Sequence, residues 1–169
     1  AAALTGKATE NDADRVTEQS IHEALVEARQ HDSYWFLNMG FFVCGFHIAF
    51  ILTHLPAYIA DEGYSGNMGA LVLIVIGVFN IPGALILGKL ADHYPKRSVL
   101  SILYVVRAGL LVTFILLPTT PVTIILFGAG MGATWLATIP LTNALVAQMF
   151  GVRYVATLFG IAWFIHQLG

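Results

Sequence analysis

The residues able to do chemistry are few, and they stand inside long apolar runs: Cys44, His47, His54, Asn80, Arg107, Trp135, His166 and Gln167. Imidazole binds or releases a proton near neutral pH. Amide and indole groups offer directed hydrogen bonds. Arg107 carries a permanent charge that pairs with anions or carbonyl oxygens. No carboxylate pair, serine nucleophile arrangement or nucleotide loop accompanies them. The glycines of Gly128-Ala-Gly-Met-Gly132 lie in an apolar stretch with no strand before it, so they are no dinucleotide fingerprint. Cys44 with His47 and His54 lacks a further strong ligand nearby, so no metal or other cofactor is expected. The available chemistry is solute binding and proton exchange.

Spacing sharpens this. At about 100° per residue, Gly40, Cys44, His47, His54, Tyr58 and Asp61 share one arc of a helix, whereas Phe41, Phe42, Ile48 and Phe50 point mainly elsewhere. Such a stripe faces protein or a water-filled path, because polar groups are costly against lipid. It either lines a pathway or fixes packing by interhelical hydrogen bonds. Gly69, Gly77, Asn80, Gly83 and Ala84 share another face, with Asn80-Ile-Pro82-Gly83 a weak point in the helix. Gly128 and Gly132 form a helix-contact pair beside Trp135, Thr138, Thr142 and Asn143. Arg107 falls near the middle of its run, where an arginine costs at least about 2.5 kcal/mol and must find a partner. No carboxylate stands within any span, so that partner is backbone or lies outside this sequence.

The elements that must position these groups follow from composition. Of 169 residues, 57% are hydrophobic and 11% charged, against roughly 25% charged in soluble domains. That excludes an ordinary soluble domain and a disordered chain. The net charge of −2 excludes a nucleic-acid surface, and a single cysteine excludes an internal disulfide. Residues 1–33 hold 10 of the 18 charged residues; the other 136 hold eight. Residues 1–17 are expected to be a solvated linker. A short amphipathic helix follows at about 20–31, capped by Ser20 and Glu23, with Ile21, Leu25 and Ala28 on its apolar face.

Five apolar spans are then expected, at about residues 34–60, 67–87, 98–117, 122–149 and from 154 onward. Pro56 is expected to kink the first, and the fourth to bend near Pro140. With this map, Lys89, Lys96, Arg97 and Arg153 fall on the same side as residues 1–33, while the turns 61–66 and 118–121 carry no Lys or Arg. The positive-inside rule places residues 1–33 and the turn 88–97 in the cytoplasm, as a multi-pass protein of the cell (inner) membrane. The opening residues have no signal-peptide run. The apolar pattern reaches Gly169, which reads as a piece of a longer protein.

The turn Gly88-Lys-Leu-Ala-Asp92-His-Tyr-Pro-Lys96-Arg97 resembles the G-x-x-x-D-R-x-G-R-R signature of the major facilitator superfamily. His93 and Pro95 depart from it, as second-half copies of the signature commonly do. Gly151-Val-Arg153-Tyr154, Thr157-Leu-Phe-Gly160 and His166-Gln-Leu-Gly169 resemble the start of helix eleven. The stretch from Gly40 to Asp61 is similar to helix seven of bacterial carriers akin to monocarboxylate and oxalate/formate transporters.

The resemblance covers about residues 20–169. It implies an all-α, polytopic membrane bundle: helices seven to eleven of twelve, with residues 1–33 ending the central loop and 34–169 forming a truncated half-domain. It implies a secondary transporter, not an enzyme, that moves a small organic solute, an organic anion such as a monocarboxylate, by alternating access with a coupled proton. His47, His54, Asn80, Trp135 and Gln167 are then the substrate candidates. Gly88, Asp92, Lys96 and Arg97 form a cytoplasmic gate. Arg107, on the usually peripheral helix nine, is an intramembrane charge and a weaker ligand candidate. Asn80 and Ala84 stand where eukaryotic monocarboxylate carriers have an acidic residue and an arginine, so the carboxylate-binding arginine is missing there. Partners are the solute, the bilayer and the amino-terminal half of the chain, with no nucleic acid. The rival readings are a non-catalytic membrane subunit and a histidine-dependent membrane enzyme using His47, His54 and His166.

Overall fold

The computed structural model describes residues 19–169; the linker expected over 1–17 lies outside them. Helix α1 is Ile21–Gln30. Ser20 accepts the Glu23 backbone N–H, while the Glu23 carboxylate takes the Ser20 N–H at 2.7 Å. This reciprocal box satisfies donors that a first helical turn leaves open. Its buried face differs from the expected one. Ala24 and Ala28 are buried, while Ile21 and Leu25 are exposed, because the small side chains let α1 sit close on its neighbours.

Six further helices follow: α2 Asp32–Asp61, α3 Gly66–His93, α4 Lys96–Leu116, α5 Pro121–Trp135, α6 Thr138–Phe150 and α7 Val155–Leu168. Four stretches among the described residues are long and apolar enough to cross a membrane: α2, α3, α4 and the pair α5–α6. Helix α7 is equally apolar but has 14 residues. The outside of the bundle is apolar, with Phe36, Ile81, Ile115 and Leu116 more than two-thirds exposed. The inside holds Asn38, Arg107, Thr138 and Thr142, each at most 1% exposed. That inversion of the usual soluble pattern is what a hydrocarbon solvent selects, since polar groups must then be satisfied internally.

Two elements depart from the sequence expectation. Helix α3 continues through Gly88 to His93, so most of the signature is helical. The chain turns only at Tyr94-Pro95, where proline disfavours helix in the residue before it. Pro82 does not interrupt α3, nor Pro56 α2. The fourth span is interrupted near Pro140, as expected, by a short turn at Leu136 and Ala137 between α5 and α6, where the backbone stays in the right-handed helical region. Pro140 stands four residues beyond Leu136, where its ring crowds the Leu136 carbonyl and it offers no N–H. Ile139 N–H takes that carbonyl instead, at 3.2 Å.

Close crossings hold the bundle. A Cβ at Gly83 or Gly132 would strike the backbone of Ala133 or Ile76, so α3 and α5 touch main chain to main chain. Gly45 on α2 lies against the His166 backbone on α7 in the same way. One apolar core joins Ile51, Leu55, Val72, Ile76, Phe127 and Met131; another, toward the opposite end, joins Val99, Leu100, Leu103, Ala137 and Leu141. The α5–α6 break falls between them.

Candidate functional site

A broken helix in hydrocarbon has a specific problem. The carbonyls that end α5 and the N–H groups near the break have lost their helical partners, and water is not there to replace them. The α5 carboxyl end also carries the negative pole of the helix dipole. Polar side chains from neighbouring helices meet these groups at mid-depth. Arg107 is the twelfth of the 21 residues of α4, and Asn80 the fifteenth of the 28 of α3.

The Arg107 guanidinium closes the carbonyl side. Nη2 donates to the Thr134 and Trp135 carbonyl oxygens, the latter at 2.8 Å, and Nε to Thr134 Oγ1 at 3.4 Å. Nη1 donates to Cys44 Sγ on α2 at 3.0 Å. A planar fork of donors suits this clustered target, as a point-charged lysine would not. Thr138 Oγ1 adds a bond to the Trp135 carbonyl at 3.1 Å and meets Cys44 Sγ at 3.5 Å. On the opposite side, Asn80 Oδ1 accepts the Leu136 N–H at 3.0 Å. Three neighbouring helices, α2, α3 and α4, are thereby tied to one break. Arg107 is 1% exposed and bonded to protein on all three nitrogens, so its partner is found within this sequence, in backbone and neighbouring side chains.

The other sequence candidates are dispersed. Trp135 is half-buried against the core beside the break, and Asn80 bonds the backbone of the residue that follows it. His47 is half-buried, with its Nδ1 buried and without a hydrogen-bond partner among the described residues. His54 is exposed and rests on the Phe50 ring at 4.9 Å. It lines a cavity of about 420 Å³ with Tyr58, Asp61, Phe114 and Phe127, away from the break. Gln167 is exposed on α7. No group of three His, Cys, Asp or Glu side chains able to share a metal ion exists among the described residues.

The profile of the Major Facilitator Superfamily matches residues 3–169. The chain belongs to this superfamily. A relative in Bacillus subtilis (strain 168), described as an uncharacterized MFS-type transporter, YcxA, is 33% identical over 142 residues, covering 78% of this chain and 33% of that protein. The chain therefore spans about a third of the length of that curated relative. No solved structure matches.

Within this major facilitator chain, the signature residues occupy the α3–α4 end. Gly88 and Asp92 are exposed on the last turns of α3, with open space where a Gly88 Cβ would stand. Lys96 Nζ reaches the Ala91 carbonyl at 3.5 Å, and Arg97 is exposed. Sequence reasoning noted Cys44, Thr138 and His166 but missed their roles. His166 is buried, parallel to Trp163 at 5.1 Å between ring centres and against Phe41 at 4.5 Å. The coincidence in depth of Asn80, Arg107 and the Trp135–Pro140 segment was the available signal for the break.

Proposed function

We propose that the chain is the larger part of the carboxyl half of a secondary transporter, moving a small organic solute by alternating access. One observation carries it beyond family membership. Polar groups from α2, α3 and α4 converge at mid-depth on a broken helix, the setting in which carriers place substrate and motion. In this reading α2 to α7 correspond to helices seven to eleven, α5 and α6 together forming the tenth. Residues 1–33 end the central loop, and the amino-terminal half of the protein closes the site. Lys89, Lys96, Arg97 and Arg153 stand at the end from which α2 starts, which supports a cytoplasmic position for that end. There Asp92, Lys96 and Arg97 act as a gate against the other half.

The solute class in this reading is an organic anion such as a monocarboxylate, supported by the likeness of α2 to carriers of that kind. In this reading Arg107 is not its ligand, which the bonds from its guanidinium to protein support, and Ala84 offers no charge. His47, with a buried unpartnered nitrogen, is the group that binds the coupled proton, and His54, Trp135 and Gln167 contribute contacts. The test is uptake of radiolabelled monocarboxylates into proteoliposomes holding the intact protein, from pH 5 to 8. Saturable, pH-dependent uptake that flattens with pH in His47→Ala is expected. Uptake of other solutes but no organic anion would overturn the substrate class, and no mediated flux of any solute would overturn the carrier.

A further inference from the structure

Polar side chains buried in hydrocarbon need partners, and one part of this bundle holds several without any. Among the described residues, the buried side-chain nitrogens and oxygens with no hydrogen-bond partner belong to His31, Asn38, His47, Tyr104, Thr142 and His166. All six lie from the end at which α2 starts up to mid-depth. The other half is built differently: its core joins Ile51, Leu55, Val72, Ile76 and Phe127.

Three of the six mark one seam, between α2, α6 and α7. Asn38 is 1% exposed, Thr142 0% and His166 5%. Both amide atoms of Asn38 and both ring nitrogens of His166 are unpartnered. Thr142 stands one turn from Thr138, which meets Cys44, and one turn from Val146, which packs with Tyr34 and Leu158. Positions 31, 38 and 45 are seven apart, so they share a face of α2 at about 10 Å of rise per step. His31 opens this face, Asn38 stands at its middle, and Gly45 seats the His166 backbone. Phe41 lies between, with its ring 4.5 Å from that of His166. These helices bury the seam by themselves. Yet they offer its polar atoms nothing to bond. Helices α6 and α7 carry no carboxylate, and α2 has only Asp32 and Asp61 at its ends. The Tyr34 hydroxyl already donates to the Leu158 carbonyl at 2.7 Å. Five unpaired polar atoms would cost a large share of a fold's net stability. Water is small enough for a closed seam, both donates and accepts, and takes two to four such bonds.

We propose that the α2–α6–α7 seam is a bound-water site, in which ordered water bridges Asn38, Thr142 and His166 and continues to His31. Water then reaches mid-depth from the end at which α2 starts, while the core around Phe127 stays dry. One consequence rests on the carrier reading: the coupled proton travels this seam. A hydronium there gives its proton to a ring nitrogen of His166 and is left as water. The other charged or titratable groups at that depth are Cys44, His47, Tyr104 and Arg107, none of them a carboxylate that would hold the proton elsewhere. The water site itself does not depend on that reading.

The experiment is X-ray radiolytic footprinting of the intact protein in nanodiscs. The pulse splits bound water into hydroxyl radicals, which oxidise the side chains they touch, and mass spectrometry reads the products. Phe41 and Phe127 make the comparison, being the same side chain at 0% and 4% exposure. Phe41 should oxidise about fivefold faster or more than Phe127, because only its surroundings hold water. Asn38→Leu, which removes the middle bridge, should bring Phe41 down to the rate of Phe127 and leave Phe127 unchanged. Thr142→Val, close in shape, serves if the leucine variant fails to insert. Phe41 as slow as Phe127 in the native protein would overturn the water site. Fast oxidation of Phe41 that persists in both variants would overturn the bridge, since the radicals would then come from outside the seam. No solute is needed, so a wet seam in a protein that moves nothing would overturn the carrier and not the site. With a wet seam, Asn38→Leu should slow uptake severalfold, and native uptake in that variant would overturn the proton route alone.

Discussion

The seam between α3 and α5 and the break between α5 and α6 lie four residues apart on one span, at Gly132 and Leu136, and are held by opposite means. At the seam there is no side chain: Gly83 and Gly132 let the two main chains touch. At the break there are many: Arg107, Asn80, Thr134, Thr138 and Cys44 meet backbone that the helix has left open. In hydrocarbon the first gains through dispersion at close approach, and the second through satisfying polar groups that have no water. A seam of touching main chain has one good arrangement. A knot of hydrogen bonds can be undone and remade. One span is therefore held by close approach of main chain in one half and by hydrogen bonds from its neighbours at the break.

The largest expected effect is at the seam. Gly83→Val places atoms into the Ala133 backbone, which has no rotamer to yield, and should cost about 3 kcal/mol or more. The measurement is the yield of monodisperse protein in detergent and its midpoint of thermal unfolding. A native midpoint would remove the claim that the seam is closed main chain to main chain.

Arg107→Leu comes next. It leaves the Thr134 and Trp135 carbonyls without their donor and should cost about 2 kcal/mol. Leucine suits lipid, so insertion should survive while the melting midpoint falls. If Arg107→Leu were as stable as the native protein, the break would be held by the surrounding packing and the contrast between the two regions would dissolve.

Smaller effects sharpen the seam. A Cβ at Gly128 meets the end of the Val72 side chain at 2.7 Å, which can rotate away. Gly128→Ala should thus be milder than any change at Gly83, about 1 kcal/mol or less. Gly77 has nothing within 4 Å of its would-be Cβ. Gly77→Ala should be neutral or stabilising by up to about 1 kcal/mol, from helix propensity alone. Equal damage at Gly77 and Gly83 would show that glycine in α3 matters for flexibility and not for approach.

The smallest effect lies in water, outside both regions. The Ser20 backbone N–H and hydroxyl hold the Glu23 carboxyl below its ordinary value of 4.5. A carboxyl lowered in the folded state contributes fully above that ordinary value and is lost as pH falls through the lowered one. The protection of first-turn amides of α1, measured against their intrinsic exchange rate at each pH, should therefore fall at acid pH, and Ser20→Ala should abolish that pH dependence. The break, made of neutral backbone and an arginine, should show no matching change in the exchange protection of its own amides over the same range.

Much of the fold was legible in the sequence. The spans, their order and the cap at Ser20 follow from runs of apolar residues and one short motif. Gly128 and Gly132 were legible as a contact pair because their spacing alone places them on one face. The site was less so. Pro82 and Pro140 both stand in mid-span with the same local chemistry, yet α3 runs through one while the other lies just past a break. Local sequence does not separate them, because what differs is the supply of outside partners: Arg107 and Asn80 converge on the residues before Pro140. The signature stretch 88–93 read as a turn from its charge, and the structure makes it helix because nothing before Tyr94-Pro95 stops one.

The sequence by itself determined that this is an all-helical membrane chain of the major facilitator superfamily, with its basic residues other than Arg107 toward one end of the spans. Hydropathy, charge bias and a signature motif are properties summed along the chain, and no fold is needed to add them. The tertiary structure decided that Arg107 meets the carbonyls at the end of α5. It also decided that Asn80 bonds the backbone of Leu136 while His54 and Gln167 stand exposed elsewhere. The bonds that settle this join residues 27 to 94 positions apart, and a hydrogen bond exists only where packing brings donor and acceptor within reach.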